Sequence, residues 1–378
     1  MRALTLFLAI LALLASVCLV VPAPTRFLLN FTVALPELVP WLALFDLAVI
    51  ILALAFERRP ILPAAACFCI SAWPVAEALQ MDSHVTLASL YRPIDTGHIV
   101  PATLQLNILH YPGRGNAPRP VVVAIYGGAW QRGSPSDDAA LNSWLAARGY
   151  SVFAIDYRHA PAVRFPAPLE DVHTAIRFVH AHAAEYGADP DRIVLLGHSS
   201  GGQLALLAAY QPGDVPVRGV IAFYSPVNLT RGYNELPATD PIDIRGALST
   251  YIGGTPEDMA QAFLDASPVT WAGYPVPPTL LLQGQKDHVV KPEFTRELYQ
   301  KLVASGNDAE LVEIPWAEHA FDAIFSGLGS RVALLKMMDF LQRVSLQENV
   351  GSASISCSGT SSSGSPAFFH ARNPPVST

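Results

Sequence analysis

The stretch Ile193-Val-Leu-Leu-Gly197-His198-Ser199-Ser200-Gly201-Gly202-Gln-Leu-Ala constrains the fold of this chain more than any other. It runs from an apolar strand through a glycine-flanked serine straight into a helical pattern. A turn this tight holds the serine backbone in a strained conformation, and strand and helix cross closely only if the residues two before and two after are small. Gly197 and Gly201 meet that need around Ser199. Ser200 is the rival nucleophile, but its residue at minus two is His198, too bulky for the same crossing.

A serine hydroxyl is a poor nucleophile at neutral pH, so such a turn implies a histidine base, an acid that orients it, and donors for an oxyanion. The apolar run Pro278-Thr-Leu-Leu-Leu-Gln283 predicts a buried strand, and Gly284-Gln-Lys-Asp287 leaves it, which makes Asp287 the candidate acid. A second strand-like run, Ala309-Glu-Leu-Val-Glu-Ile314, precedes Pro315-Trp-Ala-Glu-His319, which makes His319 the candidate base. Serine, acid and histidine thus fall on successive strand-end loops, in that chain order. His288 is the competing base, yet adjacent loop side chains usually point apart and it follows Asp287 directly. Asp265 is the competing acid, but Phe263-Leu-Asp265-Ala-Ser-Pro268 reads as a helix end with no strand feeding it.

Upstream, Pro120-Val-Val-Val-Ala-Ile125 predicts a buried strand that breaks into Tyr126-Gly127-Gly128-Ala129-Trp130. Glycines at a strand exit free backbone N–H groups, so Gly128 and Ala129, with Ser200 after the nucleophile, are the candidate oxyanion donors. An ordinary glycine turn is the plainer reading of the loop, set aside because of its position before the serine.

With these pieces in place the chain resembles α/β-hydrolases of the esterase/lipase group related to hormone-sensitive lipase and bacterial acetyl esterases. The resemblance covers residues 85–345 and includes Asp156-Tyr157-Arg158, Phe165-Pro-Ala-Pro-Leu-Glu170-Asp171 and Asp189-Pro-Asp-Arg-Ile193. It implies a doubly wound, mostly parallel sheet and a serine carboxylesterase that cleaves small-molecule esters through an acyl-enzyme on Ser199, without cofactor or metal. Two departures stand out. Tyr126 occupies the place of the family's usual histidine, and Ala129 that of a frequent third glycine. Prolyl-oligopeptidase relatives carry a tyrosine on a similar loop, so Tyr126 either holds the loop or supports the oxyanion, and a peptidase or amidase is the alternative activity. Neither propeller-like repeats nor a second large domain accompanies it. A third reading, a catalytically silent hydrolase fold used for membrane-associated binding, would normally lack a triad member, and none is missing here.

Strands Ser151-Val-Phe-Ala-Ile155 and Val220-Ile-Ala-Phe-Tyr224 alternate with helical stretches, as a doubly wound sheet requires. In 169–186, Val172, Ala175, Ile176, Val179 and Ala183 recur at helical spacing, with Glu170, Arg177 and His180 facing outward. His180 and His182 diverge on such a helix and make no metal pair. Residues 225–275 form a long insertion with a helical stretch near 257–264, read as a cap. Its aromatics Tyr233, Tyr251, Phe263 and Trp271 either line an acyl pocket or anchor the insertion.

The first 80 residues contain three apolar stretches. Residues 3–21 carry no charge and 38–56 carry only Asp46; each reaches the ~30 Å of a bilayer core at ~1.5 Å per residue. Residues 61–79, with Pro63, Pro74 and Glu77, form the weakest span. The first stretch also has features of a signal peptide, which Pro24 argues against. With all three spanning, Arg2, Arg58 and Arg59 share the cytoplasmic side and the hydrolase domain is extracytoplasmic; with the third only interfacial, the domain is cytoplasmic. Of the cysteines, Cys18, Cys67 and Cys69 lie in apolar stretches and Cys357 in the tail, so no disulfide framework is implied. The net charge of −7 has no basic block, which excludes an electrostatic footprint for nucleic acid. Residues 346–378 turn to serine, glycine and proline and read as a disordered tail.

Overall fold

The computed structural model describes residues 1–21, 23, 25–235, 240 and 242–346. The expected tail lies outside the described residues. Four helices come first: α1 (Arg2–Val20), α2 (Arg26–Glu37), α3 (Val39–Phe56) and α4 (Ile61–Met81). The second is an addition to the sequence reading. Thr25 caps it by accepting a hydrogen bond from the Leu28 N–H, and its 12 residues span only ~18 Å, too short to cross a bilayer. Helices α1, α3 and α4 are long and apolar enough to cross a membrane. They pack through small residues, with Ala9, Val49 and Ala64 forming their own apolar core.

After α5 (Leu87–Leu90) the chain enters one eight-stranded sheet. Its strands are β1 (Ala102–Thr103), β2 (Leu109–Tyr111), β3 (Arg119–Ile125), β4 (Ser151–Ile155), β5 (Ala188–His198), β6 (Gly219–Phe223), β7 (Thr279–Gly284) and β8 (Ala309–Ile314). The spatial order is β1-β2-β4-β3-β5-β6-β7-β8. Strands β3 to β8 run parallel, and only the short β1 and β2 pair antiparallel at one edge. Those two edge strands have too few residues for the alternation that reveals a strand in sequence. The inner strands β4, β6 and β7 are buried on both faces, which explains their continuous apolar runs, whereas the edge strand β8 is only partly buried and keeps Glu310 and Glu313.

Helices α6 (Ala139–Ala147) and α14 (Leu328–Leu346) share a core with Val122, Ala124, Val194 and Leu196 on one face. On the other face α7 (Ala167–His182), α8 (Ser200–Tyr210) and α13 (Pro292–Ala304) pack on Val121, Val123 and Leu195. The expected cap resolves into α9 (Leu229–Glu235), α10 (Ile244–Ile252), α11 (Ala260–Asp265) and α12 (Pro268–Trp271). The helical stretch anticipated near 257–264 is α11, starting three residues later because Thr255 and Asp258 close a turn first. Asp265 is its last residue, a helix end as expected.

The N-terminal helices join the hydrolase domain through a continuous core, since Leu19, Val39 and Ala78 pack with the α6 and α14 face of the sheet. Three polar contacts reinforce the join. Lys286 Nζ donates to the Leu19 carbonyl at 2.6 Å, Lys336 pairs with Asp82 at 3.1 Å, and buried Glu37 accepts the Gly329 N–H at 2.6 Å. The last contact puts a carboxyl group on the first turn of α14, where free N–H groups favour it. Burial nevertheless outweighs those donors and pushes the Glu37 carboxyl up to about 8.

Candidate active site

Ser199 sits where β5 ends and α8 begins, with φ 49° and ψ −120°, a conformation non-glycine residues rarely adopt. A Cβ on Gly197 would lie 2.3 Å from the Gly201 carbonyl oxygen, and one on Gly201 would lie 2.2 Å from the Ile125 carbonyl oxygen. Both positions therefore require glycine, because strand and helix touch through bare backbone. Ser200 is buried as the first residue of α8, so its side chain is not presented as Ser199's is.

The three distant side chains meet. His319 Nε2 lies 3.0 Å from Ser199 Oγ, and His319 Nδ1 lies 2.8 Å from Asp287 Oδ2. Asp287 leaves the end of β7 and His319 follows β8, so neighbouring parallel strands aim both loops at one edge. The Asp287 carboxylate is fully enclosed and fixed: Oδ1 accepts the Val289 and Val290 N–H groups at 2.9 and 2.7 Å, and Gln283 Nε2 donates to Oδ2 at 3.0 Å. His288 is turned elsewhere, with Nδ1 2.7 Å from Glu318 Oε2, and that carboxylate raises its pKa. Glu318 also accepts the His319 N–H at 2.8 Å, so it braces the loop carrying His319.

The oxyanion candidates border the same space. Gly128, Ala129 and Ser199 line one cavity, while Ala129, Ser199 and Ser200 line another. Among the described residues no backbone carbonyl claims the N–H of Gly128, Ala129 or Ser200, so all three donors stay free. Gly128 has φ 142° and a Cβ there would meet the Arg132 carbonyl at 2.0 Å, which explains glycine. Ala129 holds φ 55° without being glycine, a local strain of about 1–3 kcal/mol.

The contacts of Tyr126 run toward the loop after β4. Its hydroxyl donates to Asp156 Oδ1 at 2.5 Å and lies 2.8 Å from His159 Nε2, and its ring stacks on Tyr157 at 4.6 Å. Tyr126 lines neither of the two cavities that Ser199 borders.

One group escaped the sequence reading. His198, immediately before the nucleophile, is buried between two carboxylates: Nδ1 is 3.1 Å from Asp138 Oδ2 and Nε2 is 3.0 Å from Asp322 Oδ2. Burial opposes a charged ring here, but Asp138 and Asp322 outweigh it and push the His198 pKa up to about 10. Burial likewise raises the Asp322 carboxyl, and His198 with Tyr224 more than reverses that, leaving it below its ordinary value. Tyr224 donates to Asp322 Oδ1 at 2.5 Å and sets its ring edge-on to His319, 4.6 Å between centroids. A chain of charge and hydrogen bonds thus connects the loop after β3, the residue before Ser199 and the loop that carries His319. The available signal was a histidine inside a buried strand, a position that needs partners.

Two spaces of different character flank Ser199. A narrow one of about 40 Å³ is lined by Leu229, Ile244, Ala247, Leu248, Val290 and Phe294. A wide one of about 490 Å³ runs past Arg132, Asp137, Leu141, Phe325 and Leu334. The cap aromatics serve mainly as anchors. Tyr251 stacks on Trp130 at 4.3 Å, Phe263 is fully buried with Tyr233 edge-on to it, and Trp271 Nε1 donates to the Asp265 carbonyl. Gln203 of α8 ties the arrangement together, accepting from Trp130 Nε1 at 2.9 Å and donating to the Ala266 carbonyl at 2.7 Å.

Comparison with known proteins agrees with this architecture. The BD-FAE family matches residues 106–302, more than half of the 378 residues. LipM of Mycobacterium tuberculosis is 34% identical over 248 residues, 62% of this chain and 56% of that protein. The esterase LipQ of the same organism is 32% identical over 247 residues, 61% of this chain and 56% of that protein. The matched region therefore spans just over half the length of either relative. Among solved structures, esterase Est2 of Thermogutta terrifontis superposes with a TM-score of 0.53 at 26% identity, covering 68% of this chain and 97% of its own.

Proposed function

We propose that this chain, which belongs to the BD-FAE family, is a membrane-anchored serine carboxylesterase. The observation that carries this reading is the relay of 3.0 Å from Ser199 Oγ to His319 Nε2 and 2.8 Å from His319 Nδ1 to Asp287. Ser199 Oγ attacks the ester carbonyl while His319 takes its proton, and Asp287 holds the imidazole and stabilises its positive charge. The N–H groups of Gly128, Ala129 and Ser200 receive the oxyanion that develops, and the start of α8 adds its dipole to them. Collapse of the tetrahedral intermediate returns the proton to the alcohol, which leaves. Water activated by His319 then releases the acid from the acyl-enzyme.

The flanking spaces support an assignment of substrate sides. The narrow apolar space suits a short acyl group, and the wide one suits a larger alcohol. Anchoring is supported by α1, α3 and α4. An assignment of sides is supported by their ends: Leu19, Val39 and Ala78 meet the hydrolase domain, whereas Arg2, Arg58 and Arg59 lie at the opposite helix ends. Arginines at that end favour a cytoplasmic position for it and an extracytoplasmic hydrolase domain.

The test is direct. A fluorophosphonate should label Ser199, and Ser199→Ala should abolish labelling and lower kcat for p-nitrophenyl acetate on the order of 10⁶, as when a triad serine is removed elsewhere. Full ester hydrolysis by Ser199→Ala refutes the assignment. An aminoacyl amide cleaved faster than the ester would favour the peptidase reading instead.

A further inference from the structure

Where the ends of α1 and α2 and the middle of α4 face the hydrolase domain there is a cavity of about 470 Å³ that the chemistry above leaves unused. Leu19, Pro36, Ile70, Trp73 and Trp316 form most of its wall, and Lys286 is its one charged residue. A smaller cavity of about 160 Å³ shares Leu19, Pro36, Lys286 and Trp316 with it and reaches Thr32 and Glu318. Ser199 borders neither.

Lys286 is the informative group. Its Nζ donates to the Leu19 carbonyl and lies 5.8 Å over the Trp73 ring, and among the described residues no carboxylate stands within ion-pair distance of it. The acid across the smaller cavity, Glu318, is already committed to His288 and to two backbone N–H groups. An ammonium group carries three donors, so Lys286 retains capacity beside an apolar wall. Burial also depresses its amine, which an anionic partner would reverse. Leu19 and Val20 place the cavity at the hydrolase-side end of one candidate span, α1, the depth at which headgroups meet acyl chains, and it continues along Cys69 to Pro74 in the middle of a second, α4. Val20 and Trp73, at 59% and 43% exposure, leave it open on the outer side of the helices.

We propose that this cavity binds a single-chain anionic amphiphile from the bilayer, a long-chain fatty carboxylate, with its chain along Leu19, Ile70 and Trp73 and its carboxylate on Lys286. One ammonium with no carboxylate partner among the described residues matches one negative charge, and the volume falls within the range of ordinary ligand pockets. A second chain has no comparable apolar space, since the adjoining cavity is smaller and ends at Thr32 and Glu318. The site lies one residue from Asp287 and three from His319 by way of Lys286 and Trp316, so an occupant would press on both loops of the proposed relay. The inference rests on the reading of α1 and α4 as membrane helices, and not on the ester chemistry.

The experiment uses the full chain carrying Ser199→Ala in phosphatidylcholine nanodiscs, with a diazirine-bearing palmitic acid as probe. Alkaline extraction of membranes reports separately whether the chain is integral. Saturable cross-linking is expected at peptides containing Leu19, Trp73 or Lys286. Palmitate should compete at least about tenfold better than hexadecanol, and acetate should not compete. Lys286→Gln should weaken palmitate about tenfold and leave hexadecanol unchanged. Ile70→Trp, which fills the cavity from α4 without touching the Asp287 loop, should reduce both. Non-saturable labelling spread over the lipid-facing residues overturns the proposal, as does insensitivity to both substitutions. Hexadecanol equal to palmitate, or phosphatidic acid stronger than palmitate, also overturns it.

Discussion

The N-terminal helices and the hydrolase domain bury opposite kinds of residue. In the helices small side chains face inward, with Ala9, Ala12, Val49, Ala53 and Ala64 buried, while Phe7, Ile10, Leu14, Ile51 and Leu54 point out. In the sheet the large residues Ile125, Phe153, Ile155 and Leu195 are fully enclosed. The contrast follows from solvent. Beside water, a large apolar side chain gains about 1.5–3 kcal/mol by moving inside; beside lipid it gains nothing, so close backbone approach through alanine decides the packing. Polar groups divide in the same way. In the helices, Asp46 meets Ser71 alone among the described residues, whose Oγ donates to it at 2.5 Å. At the candidate site polar groups form a connected chain in which carboxylates alternate with a charged ring.

The strongest way to test that contrast is to break the chain at His198. Replacing it by asparagine leaves Asp138 and Asp322 facing each other without their cation. Losing one partner of a buried charged network costs about 3–5 kcal/mol, with the lower end expected because Asp138 keeps 25% side-chain exposure. Thermal unfolding of the full chain in nanodiscs should show this loss, and adding Asp322→Asn should recover part of it. The pH dependence has a definite sign. A histidine raised from 6.5 to about 10 on folding contributes stability that is complete below pH 6.5 and is lost as pH rises toward 10. Wild type should therefore lose stability across that window more steeply than His198→Asn. Equal slopes would mean that the ring is not held as a cation.

The two regions also differed in how far their sequences disclosed them. Ser199, Asp287 and His319 were legible because each stands at the end of an apolar run, and parallel strands bring such ends to one edge. Gly197 and Gly201 were legible because the crossing they permit is local. By contrast, the clamp on His198 comes from Asp138 and Asp322, 60 residues before and 124 after it, and neither lies at a strand end. No local pattern encodes that meeting. The short helix α2 was hidden for another reason: Asn30, Thr32, Pro36 and Glu37 interrupt its apolar residues, so it reads as a connector until Glu37 is seen against α14. The cap aromatics kept two readings in sequence, since anchoring and lining residues are chemically alike.

A smaller effect is expected in the helices. Ser71→Ala removes the one hydroxyl that meets Asp46, and interhelical hydrogen bonds in membranes are worth about 0.6 kcal/mol on average and at most about 1.7. The nanodisc unfolding temperature should fall by much less than for His198→Asn, with ester hydrolysis unaffected. A loss as large as that of His198→Asn would erase the distinction, because it would give an isolated pair in the bundle the weight of a connected network.

The smallest effect on activity is expected at Tyr126. In Tyr126→Phe the ring still stacks on Tyr157, and the hydroxyl's hydrogen bonds to Asp156, His159 and the Tyr157 carbonyl disappear. The loss should be about 1 kcal/mol of stability. Removing a true oxyanion donor lowers kcat about 10²–10³-fold, so kcat within about threefold of wild type separates a residue that holds the loop from one that touches the reacting oxygen. A drop of 10² or more with unchanged KM would mean that the hydroxyl leaves Asp156 during the reaction. The donor set would then extend beyond backbone, and the amidase reading would regain its structural support.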